Sequence, residues 1–349
     1  MDNALLEELN SIATRMVDSG KGILAADEST GTIKKRFDTI GLESTEDNRR
    51  DYRELLFRTE SAMKENISGV ILFDETIRQK AADGTPLVDL IADAGSIPGI
   101  KVDMGAKDLA FHDGEKVTEG LTGLRERLEE YHQLGARFAK WRAVIDIGRG
   151  GDRSMPSYSC LRANMHALAR YAALCQEQRI VPIVEPEVLM DGDHDIDRCY
   201  EVTELGLKLL YEELYYAKVA LEGTILKPNM VIAGKKAGKQ ASTEEIAEKT
   251  VKCFRHAVPA AVPGIVFLSG GQSEVQATEN LNEMNRHYAD VMPWKLSYSY
   301  GRALQASAIE TWGGKSGNVE AAQKAFAHRA KMNGLAQQGA WTKEMENAS

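Results

Sequence analysis

Lys227 lies in the run TILKPNM, where three residues typical of β-strands precede it and a proline follows it. The run is predicted to be a strand that ends near this lysine. A lysine in an apolar strand is seldom structural, because burying an unpaired charge costs roughly several kcal/mol. Burial near another cation, for which Lys140 is a candidate, would push its amine toward the neutral, nucleophilic form. A neutral amine that meets a ketone forms a carbinolamine and then an iminium, so the residue types predict Schiff-base chemistry.

Dehydration of a carbinolamine needs a general acid, and two carboxylic acids stand in the preceding apolar run, VPIVEPE. Glu185 and Glu187 are two residues apart, so in a strand they point to the same side. Lys140 and Arg142 have the same spacing in FAKWRAVI. Either glutamate is a candidate for the acid.

Two regions have the composition of phosphate sites. LSGGQS and SYGRAL place glycines beside hydroxyl groups and an arginine at the ends of two apolar runs, and backbone amides there can approach an oxyanion. A second anion site is predicted from DESTGT with a lysine and an arginine from other runs. Two such sites that flank one lysine indicate a sugar bisphosphate as substrate. The candidates are Ser269, Gly270, Gly271, Ser299, Gly301 and Arg302 for the first site, and Ser29, Thr32, Lys101 and Arg142 for the second.

These residues stand at the ends of eight short apolar runs, which begin about 30 to 45 residues apart. That spacing fits a strand, a crossover helix and two loops. The pattern predicts one (β/α)8 barrel over residues 1–349 with a short tail at about 343–349, and a doubly wound two-domain sheet is the alternative. Function gathers at the carboxyl ends of barrel strands, and Asp27 ends the first run there. The runs are 22–27, 67–73, 99–105, 138–145, 181–187, 221–230, 264–270 and 294–301.

The charge and the cysteines limit the class of protein. A formal net charge of −9 argues against nucleic acid or an anionic membrane as the main partner. The four cysteines have no CxxC spacing, as expected in a reducing compartment. The opening residues have neither a basic region nor an apolar core of a signal peptide, and no apolar run is long enough to span a bilayer. The chain is expected to be cytoplasmic.

Two further motifs fall short of known binding loops. GKKAGKQ at 234–240 lacks the Ser or Thr that ends a phosphate-binding loop, and the stretch 234–243 is expected to be a mobile loop. DGDHDID at 191–197 has Val202 where a calcium loop needs a glutamate, and it is expected to be a turn that opens a helix. The seven histidines have no ligand spacing. No metal and no cofactor is expected.

Six motifs resemble those of the Schiff-base (class I) fructose-bisphosphate aldolases, and the resemblance covers about residues 5 to 342. In order along the chain, they are KGILAADESTGTI, FAKWR, PIVEPE, EGTILKPNM, FLSGGQS and SYGRALQAS. The resemblance implies a (β/α)8 barrel, usually a homotetramer, that cleaves fructose 1,6-bisphosphate to dihydroxyacetone phosphate and glyceraldehyde 3-phosphate. It implies Lys227 as nucleophile, Glu185 as general acid and base, and Glu187 as support for the lysine. Asp27 and Lys140 would assist cleavage between the third and fourth carbons. By the same resemblance, the first phosphate site holds the phosphate on carbon one.

The motifs depart from the family pattern in three places. Thr32 stands where many relatives have serine, and Met104 replaces a lysine. Animal relatives end in a tyrosine, whereas no tyrosine follows Tyr300, and residues 343–349 are expected to be frayed and solvated. An aldolase for another ketose phosphate and a scaffold without catalysis remain as alternatives. The intact set of four catalytic residues argues against a scaffold.

Overall fold

The computed structural model describes residues 2–150 and 154–347. Ten strands are present in these residues, and eight of them close into a barrel in which every neighbouring pair is parallel. The strands are β1 (Gly22–Ala26), β2 (Ile67–Leu72), β3 (Ile97–Lys101), β4 (Ala106–Asp108), β5 (Lys116–Thr118), β6 (Phe138–Ile145), β7 (Val181–Val188), β8 (Ile225–Leu226), β9 (Gly264–Phe267) and β10 (Lys295–Tyr300).

The barrel order around the ring is β1-β10-β9-β8-β7-β6-β3-β2. Each of the eight apolar runs in the sequence supplies one barrel strand, so the predicted (β/α)8 architecture is confirmed. The run 221–230 contributes only the two residues of β8, and Lys227 comes directly after them. The Lys227 amide still donates to the Val184 carbonyl at 2.8 Å, which continues the pairing of β7 with β8 by one residue.

Apart from the first helix, which precedes β1, the helices follow strands and pack on the outside of the barrel. The N-caps agree with the sequence: Ser242 accepts a hydrogen bond from the Glu245 amide, and Asp195 caps the helix that DGDHDID was expected to open. The α-helices are α1 (Asn3–Met16), α2 (Thr30–Asp38), α3 (Glu46–Phe57), α4 (Glu60–Glu65), α5 (Asp74–Arg78), α6 (Leu87–Asp93), α7 (Leu124–Gln133), α8 (Tyr158–Glu177), α9 (Ile196–Tyr216), α10 (Thr243–Ala257), α11 (Glu274–Tyr288), α12 (Arg302–Trp312) and α13 (Val319–Gln337). Short 3-10 helices lie at Leu221–Gly223, Ala289–Val291, Ser316–Asn318 and Lys343–Asn347.

Inside the barrel, the amino-terminal half is an apolar plug. Leu9, Ala13 and Met16 of α1 pack against inward-facing strand residues such as Phe138 and Val266, and all of them are fully buried. The outward-facing strand residues, such as Trp141, belong to a separate and larger cluster shared with the surrounding helices. The plug fills the amino-terminal end, and the cavity with the charged side chains lies at the carboxyl end.

Three local features differ from the sequence-based expectation. The exposed hairpin of β4 and β5 was missed, because two strands of three polar-rich residues carry no apolar period. The loop at 234–240 is tied at residues 234–236 to the loop after β7 by three backbone hydrogen bonds, which the expectation of a mobile loop did not include. The expectation of a frayed tail is wrong as far as residue 347, since Lys343–Asn347 forms a 3-10 helix. Residues 348 and 349 lie outside the described residues.

Among the helices described, none combines the length and the apolar composition needed to cross a membrane.

Candidate active site

Because side chains alternate in direction along a strand, the predicted catalytic residues meet inside the barrel. On β6, Phe138 belongs to the interior plug and Trp141 to the outer cluster, so Lys140 faces inward above Phe138. The same alternation turns Glu185 inward on β7 and Lys227 inward after β8. Four charged side chains therefore meet above the apolar plug, at the carboxyl end of the barrel: Asp27, Lys140, Glu185 and Lys227.

The four side chains form one chain of ion pairs. Lys140 Nζ lies 2.8 Å from Asp27 Oδ2 and 3.3 Å from Glu185 Oε2. The other oxygen of the same carboxylate, Glu185 Oε1, lies 3.2 Å from Lys227 Nζ. Lys140, Glu185 and Lys227 are each at most 4% exposed. A bridging carboxylate between two buried lysines is costly for stability, which marks the cluster as a functional arrangement.

Neighbouring charges decide the protonation of three members. Burial alone would raise the pKa of Asp27, but the ammonium groups of Lys140 and Lys227 hold that pKa well below its usual range. Burial opposes the charge of Lys140, yet Asp27 and Glu185 raise its pKa above the ordinary lysine value. Burial would also raise the pKa of Glu185, and the cations of Lys140, Lys227 and Arg142 lower it instead. Both carboxylates are therefore ionised in the free protein at neutral pH.

Glu187 takes a different partner from the one expected. Its carboxylate pairs with the Arg142 guanidinium, and no contact within the described residues joins it to Lys227. Burial would lower the pKa of Arg142, but the charge of Glu187 and their hydrogen bond raise it. The side chains meet because Arg142 lies opposite Glu185 in the β6–β7 register, two residues before Glu187. Support of the lysine by Glu187 can therefore reach Lys227 only through other groups.

All fifteen residues predicted from the sequence line a single cavity of about 410 Å³ at this end of the barrel. Beyond the charged cluster, it is lined by Ser29, Thr32, Lys101, Arg142, Glu187, Ser269, Gly270, Gly271, Ser299, Gly301 and Arg302. The predicted residues therefore lie together, although they come from seven strand ends.

The first predicted phosphate site has unpaired donors. Gly270 and Gly271 both have positive φ angles, of 49° and 76°, and within the described residues their amides donate to no protein acceptor. The Ser299 hydroxyl is buried without a partner in the described part of the chain. Arg302 begins α12, whose amino terminus adds its own amides and the positive end of a helix dipole. A phosphate would satisfy these groups together.

The second predicted site lies at the start of α2. The Ser29 hydroxyl caps this helix by accepting from the Thr32 amide, and it lies 3.1 Å from the Thr32 hydroxyl. Lys101 pairs across the strand end with Asp103 at 3.6 Å, and it stands beside Lys140 in the β3–β6 register. Hydroxyls, a helix amino terminus and a partly exposed lysine suit a second anion.

Sequence reasoning missed several residues that line the cavity. Arg36 lies one helical turn after Thr32, so its i, i+4 spacing from the hydroxyl could have found it. Glu28 pairs with Arg36 at 2.6 Å and with the buried Arg53 at 3.5 Å, beneath the Asp27 loop. Asp191 and Lys235 come from the two motifs that were set aside, because neither motif matched a known binding loop.

No group of three or more histidine, cysteine, aspartate or glutamate side chains within 2–150 and 154–347 could hold a metal ion.

A closed parallel barrel with a cluster of buried lysines and carboxylates at its carboxyl end defines the class of (β/α)8-barrel enzymes. The family model for class-I fructose-bisphosphate aldolase matches residues 8–349. The chain therefore belongs to the class-I fructose-bisphosphate aldolase family.

Known proteins are similar in sequence to this chain over almost its whole length. A probable class 1 fructose-bisphosphate aldolase of Xanthomonas campestris is 60% identical over 96% of this chain and 99% of the relative. The cytosolic fructose-bisphosphate aldolase 6 of Arabidopsis thaliana is 54% identical, over 96% and 92% of the two chains. The solved fructose-bisphosphate aldolase of Plasmodium falciparum, in complex with TRAP and an inhibitor, has a TM-score of 0.94 at 48% identity, and the match covers 98% and 97% of the two chains.

Proposed function

We propose that the protein reversibly cleaves fructose 1,6-bisphosphate to dihydroxyacetone phosphate and glyceraldehyde 3-phosphate through a Schiff base on Lys227. The observation that carries the proposal is the buried carboxylate of Glu185, which touches both lysines at 3.2 and 3.3 Å. Family membership supports the substrate, and the two predicted anion sites on either side of Lys227 support a bisphosphate.

The Lys227–Glu185 pair supplies the first proton transfer. When one proton moves from the Lys227 ammonium to Glu185, the amine becomes nucleophilic and the carboxylate becomes an acid in the same step. The amine then attacks carbon two of the ketose and forms a carbinolamine. Glu185 returns its proton to the carbinolamine hydroxyl, water leaves, and the iminium of Lys227 remains.

The iminium withdraws the electron pair of the bond between carbons three and four. Asp27 takes the proton of the hydroxyl on carbon four as that bond breaks, glyceraldehyde 3-phosphate leaves, and an enamine remains on Lys227. Lys140 holds Asp27 at 2.8 Å and keeps it ionised for this step. Protonation of the enamine and hydrolysis of the iminium then release dihydroxyacetone phosphate.

The two phosphates fix the sugar across the cluster. In the proposal, Ser269, Gly270, Gly271, Ser299, Gly301 and Arg302 bind the phosphate on carbon one. Ser29, Thr32, Lys101 and Arg142 bind the phosphate on carbon six. Arg142 already neutralises Glu187, so it contributes to the second phosphate with a shared charge.

A covalent test decides the mechanism. Sodium borohydride with dihydroxyacetone phosphate should leave a reduced adduct on the peptide that contains Lys227, and the Lys227→Met variant should lose both adduct and turnover. Lys208→Met, which removes a lysine on the outer helix α9, should keep both. An adduct on another lysine would show that the assigned nucleophile is wrong, and activity that EDTA abolishes and zinc restores would overturn the Schiff-base mechanism.

Rates on related sugars decide the substrate. Fructose 1-phosphate and sedoheptulose 1,7-bisphosphate are the alternative substrates, and each should give a lower kcat/KM than fructose 1,6-bisphosphate. Adduct formation with none of the sugars would favour the scaffold alternative.

We also propose a cytoplasmic homotetramer, built from one barrel domain with a short tail at about 343–349. The family's usual assembly supports the tetramer, as does a pair of tyrosines at the end of α9, of which Tyr215 is 78% and Tyr216 is 66% exposed. The cytosolic relative and the four free, buried cysteines support the compartment. Light scattering should give four times the chain mass of 38.4 kDa. If a Tyr215→Lys/Tyr216→Lys variant keeps this mass, the two tyrosines do not form the subunit interface.

A further inference from the structure

The two motifs that no binding loop explained lie against each other at the mouth of the cavity. The Lys235 amide donates to the Met190 carbonyl at 2.8 Å, and the Lys236 amide donates to the Gly192 carbonyl at 3.0 Å. A Cβ atom on Gly234 would stand only 2.3 Å from the Gly192 oxygen, so the two loops are in close contact. The backbone of residue 235 is therefore fixed by the loop after β7.

From this position, the side chain of Lys235 reaches the glycine pair. A Cβ atom on Gly271 would lie 2.5 Å from Lys235 Nζ and 2.6 Å from its Cε, so the glycine leaves the space that the lysine occupies. Lys235 lines the same cavity as Ser269 and Arg302. An ammonium group thus stands beside Gly271, one of the two glycines whose amides have no acceptor among the described residues, where the sequence predicted one phosphate.

In the free protein, this ammonium has only a weak partner. Lys235 Nζ lies 3.2 Å from Asp191 Oδ1, and the two side chains are 45% and 59% exposed. A pair so exposed to water contributes little to stability. A phosphate dianion that arrives at the glycine pair can replace Asp191, since a lysine presents a point charge on a flexible stem.

We propose that Lys235 is an additional phosphate-binding residue that selects ketoses with a phosphate on carbon one, and that Asp191 competes with that phosphate for it. The proposal rests on the proposed function, because it needs the phosphate on carbon one at the glycine pair. It places dihydroxyacetone phosphate and ketose 1-phosphates among the ligands that gain from Lys235, and unphosphorylated dihydroxyacetone among those that do not.

The test compares Lys235→Met with Lys236→Met, which removes an exposed neighbouring lysine that does not line the cavity. Calorimetry measures the Kd of dihydroxyacetone phosphate, and borohydride trapping measures the adduct that unphosphorylated dihydroxyacetone forms on Lys227. Lys235→Met should raise the Kd roughly 5- to 10-fold, as expected for one charge-assisted contact at a half-exposed site, and leave the unphosphorylated adduct unchanged. Lys236→Met should change neither, and Lys235→Arg should restore most of the affinity.

A second variant is expected to shift the Kd of dihydroxyacetone phosphate in the opposite direction. Asp191→Asn removes the competing carboxylate, so it should lower the Kd of dihydroxyacetone phosphate about twofold or more. Opposite shifts in the two variants support the proposal, because damage to the loop would weaken binding in both. Wild-type affinity in Lys235→Met overturns it, and so does an equal loss of the phosphorylated and the unphosphorylated ligand. Failure of the proposed function is seen separately, as the absence of any Lys227 adduct in the wild-type protein.

Discussion

The Glu185 carboxylate lies between two lysines, Lys140 and Lys227, and contacts both. Its oxygens lie 3.3 Å from Lys140 and 3.2 Å from Lys227, while Asp27 gives Lys140 a second and closer partner at 2.8 Å. Lys140 is thus held as a cation by two carboxylates, and Lys227 is in contact with one. Of the two lysines, Lys227 therefore has fewer carboxylate partners than Lys140.

Glutamine variants separate the two glutamates. Glu185→Gln removes the group that accepts the Lys227 proton, so adduct formation with dihydroxyacetone phosphate should slow by roughly 10²–10⁴-fold. Glu187→Gln breaks the pair with Arg142 and leaves the Lys227–Glu185 contact intact, so its adduct should form within a few-fold of the wild-type rate. Rapid-quench trapping with borohydride measures both rates. Equal slowing in the two variants would contradict the assignment of Glu185.

Arg302 is the strongest single contact expected at the first phosphate. Arg302→Ala removes a charge-assisted contact of about 1.5–3 kcal/mol, so the Kd of the bisphosphate should rise roughly tenfold or more. Arg255→Ala, which removes an exposed arginine from the outer helix α10, is the matched control and should leave the Kd unchanged. Calorimetry on the Lys227→Met background isolates binding from turnover. An unaltered Kd in Arg302→Ala would place the phosphate elsewhere.

Among the structural elements, the strands were predictable and the loops were not. Each barrel strand is an apolar run with a polar end. That pattern predicted fifteen residues, and all of them line the cavity. Lys235 and Asp191 escaped prediction because their contact joins residues 44 positions apart through two loops without sequence period. The partner of Glu187 escaped for a related reason, since alternation gives the face of a side chain and leaves open which neighbour it meets.

The barrel interior requires glycine on β3. A Cβ atom on Gly99 would lie 2.3 Å from the ring of Phe138, which is fully buried in the plug. Gly99→Ala should therefore lower the free energy of unfolding by about 1–3 kcal/mol through overpacking. Gly317→Ala is the control, because no neighbour lies within 4 Å of its Cβ position. Urea denaturation measures both, and equal stability of the two variants would mean that the ring moves freely aside.

At the scale of the whole molecule, residues 343–347 near the carboxyl terminus are folded against the rest of the protein. Glu346 accepts two hydrogen bonds from the buried Arg329 of α13, at 2.6 and 2.8 Å, and one from the Trp341 indole at 2.8 Å. Composition predicted a solvated end because TKEMEN is polar, and composition does not reveal a buried arginine that lacks a carboxylate. Residues 343–347 do not line the cavity of the candidate site. We therefore expect residues 343–347 to stabilise the barrel and to take no part in the chemistry.

Deletion of Lys343 to Ser349 separates these two roles. Bisphosphate cleavage and proton exchange into dihydroxyacetone phosphate should stay within a few-fold of the full chain, because residues 343–347 do not line the cavity. The melting temperature should fall by a few degrees, as Arg329 loses a largely buried pair of about 1–2 kcal/mol. Burial would raise the pKa of Glu346, but Arg329 lowers it. A lowered folded-state pKa means that the pair stabilises fully above the ordinary value of 4.5 and is lost as the pH falls through the folded-state value. The difference in melting temperature between the full and the truncated chain should therefore shrink as the pH falls below 4.5, while Glu346→Gln should reproduce most of the loss at pH 7. If truncation abolishes proton exchange while the Lys227 adduct still forms, the segment takes part in catalysis from outside the cavity, and the stabilising role is the wrong one.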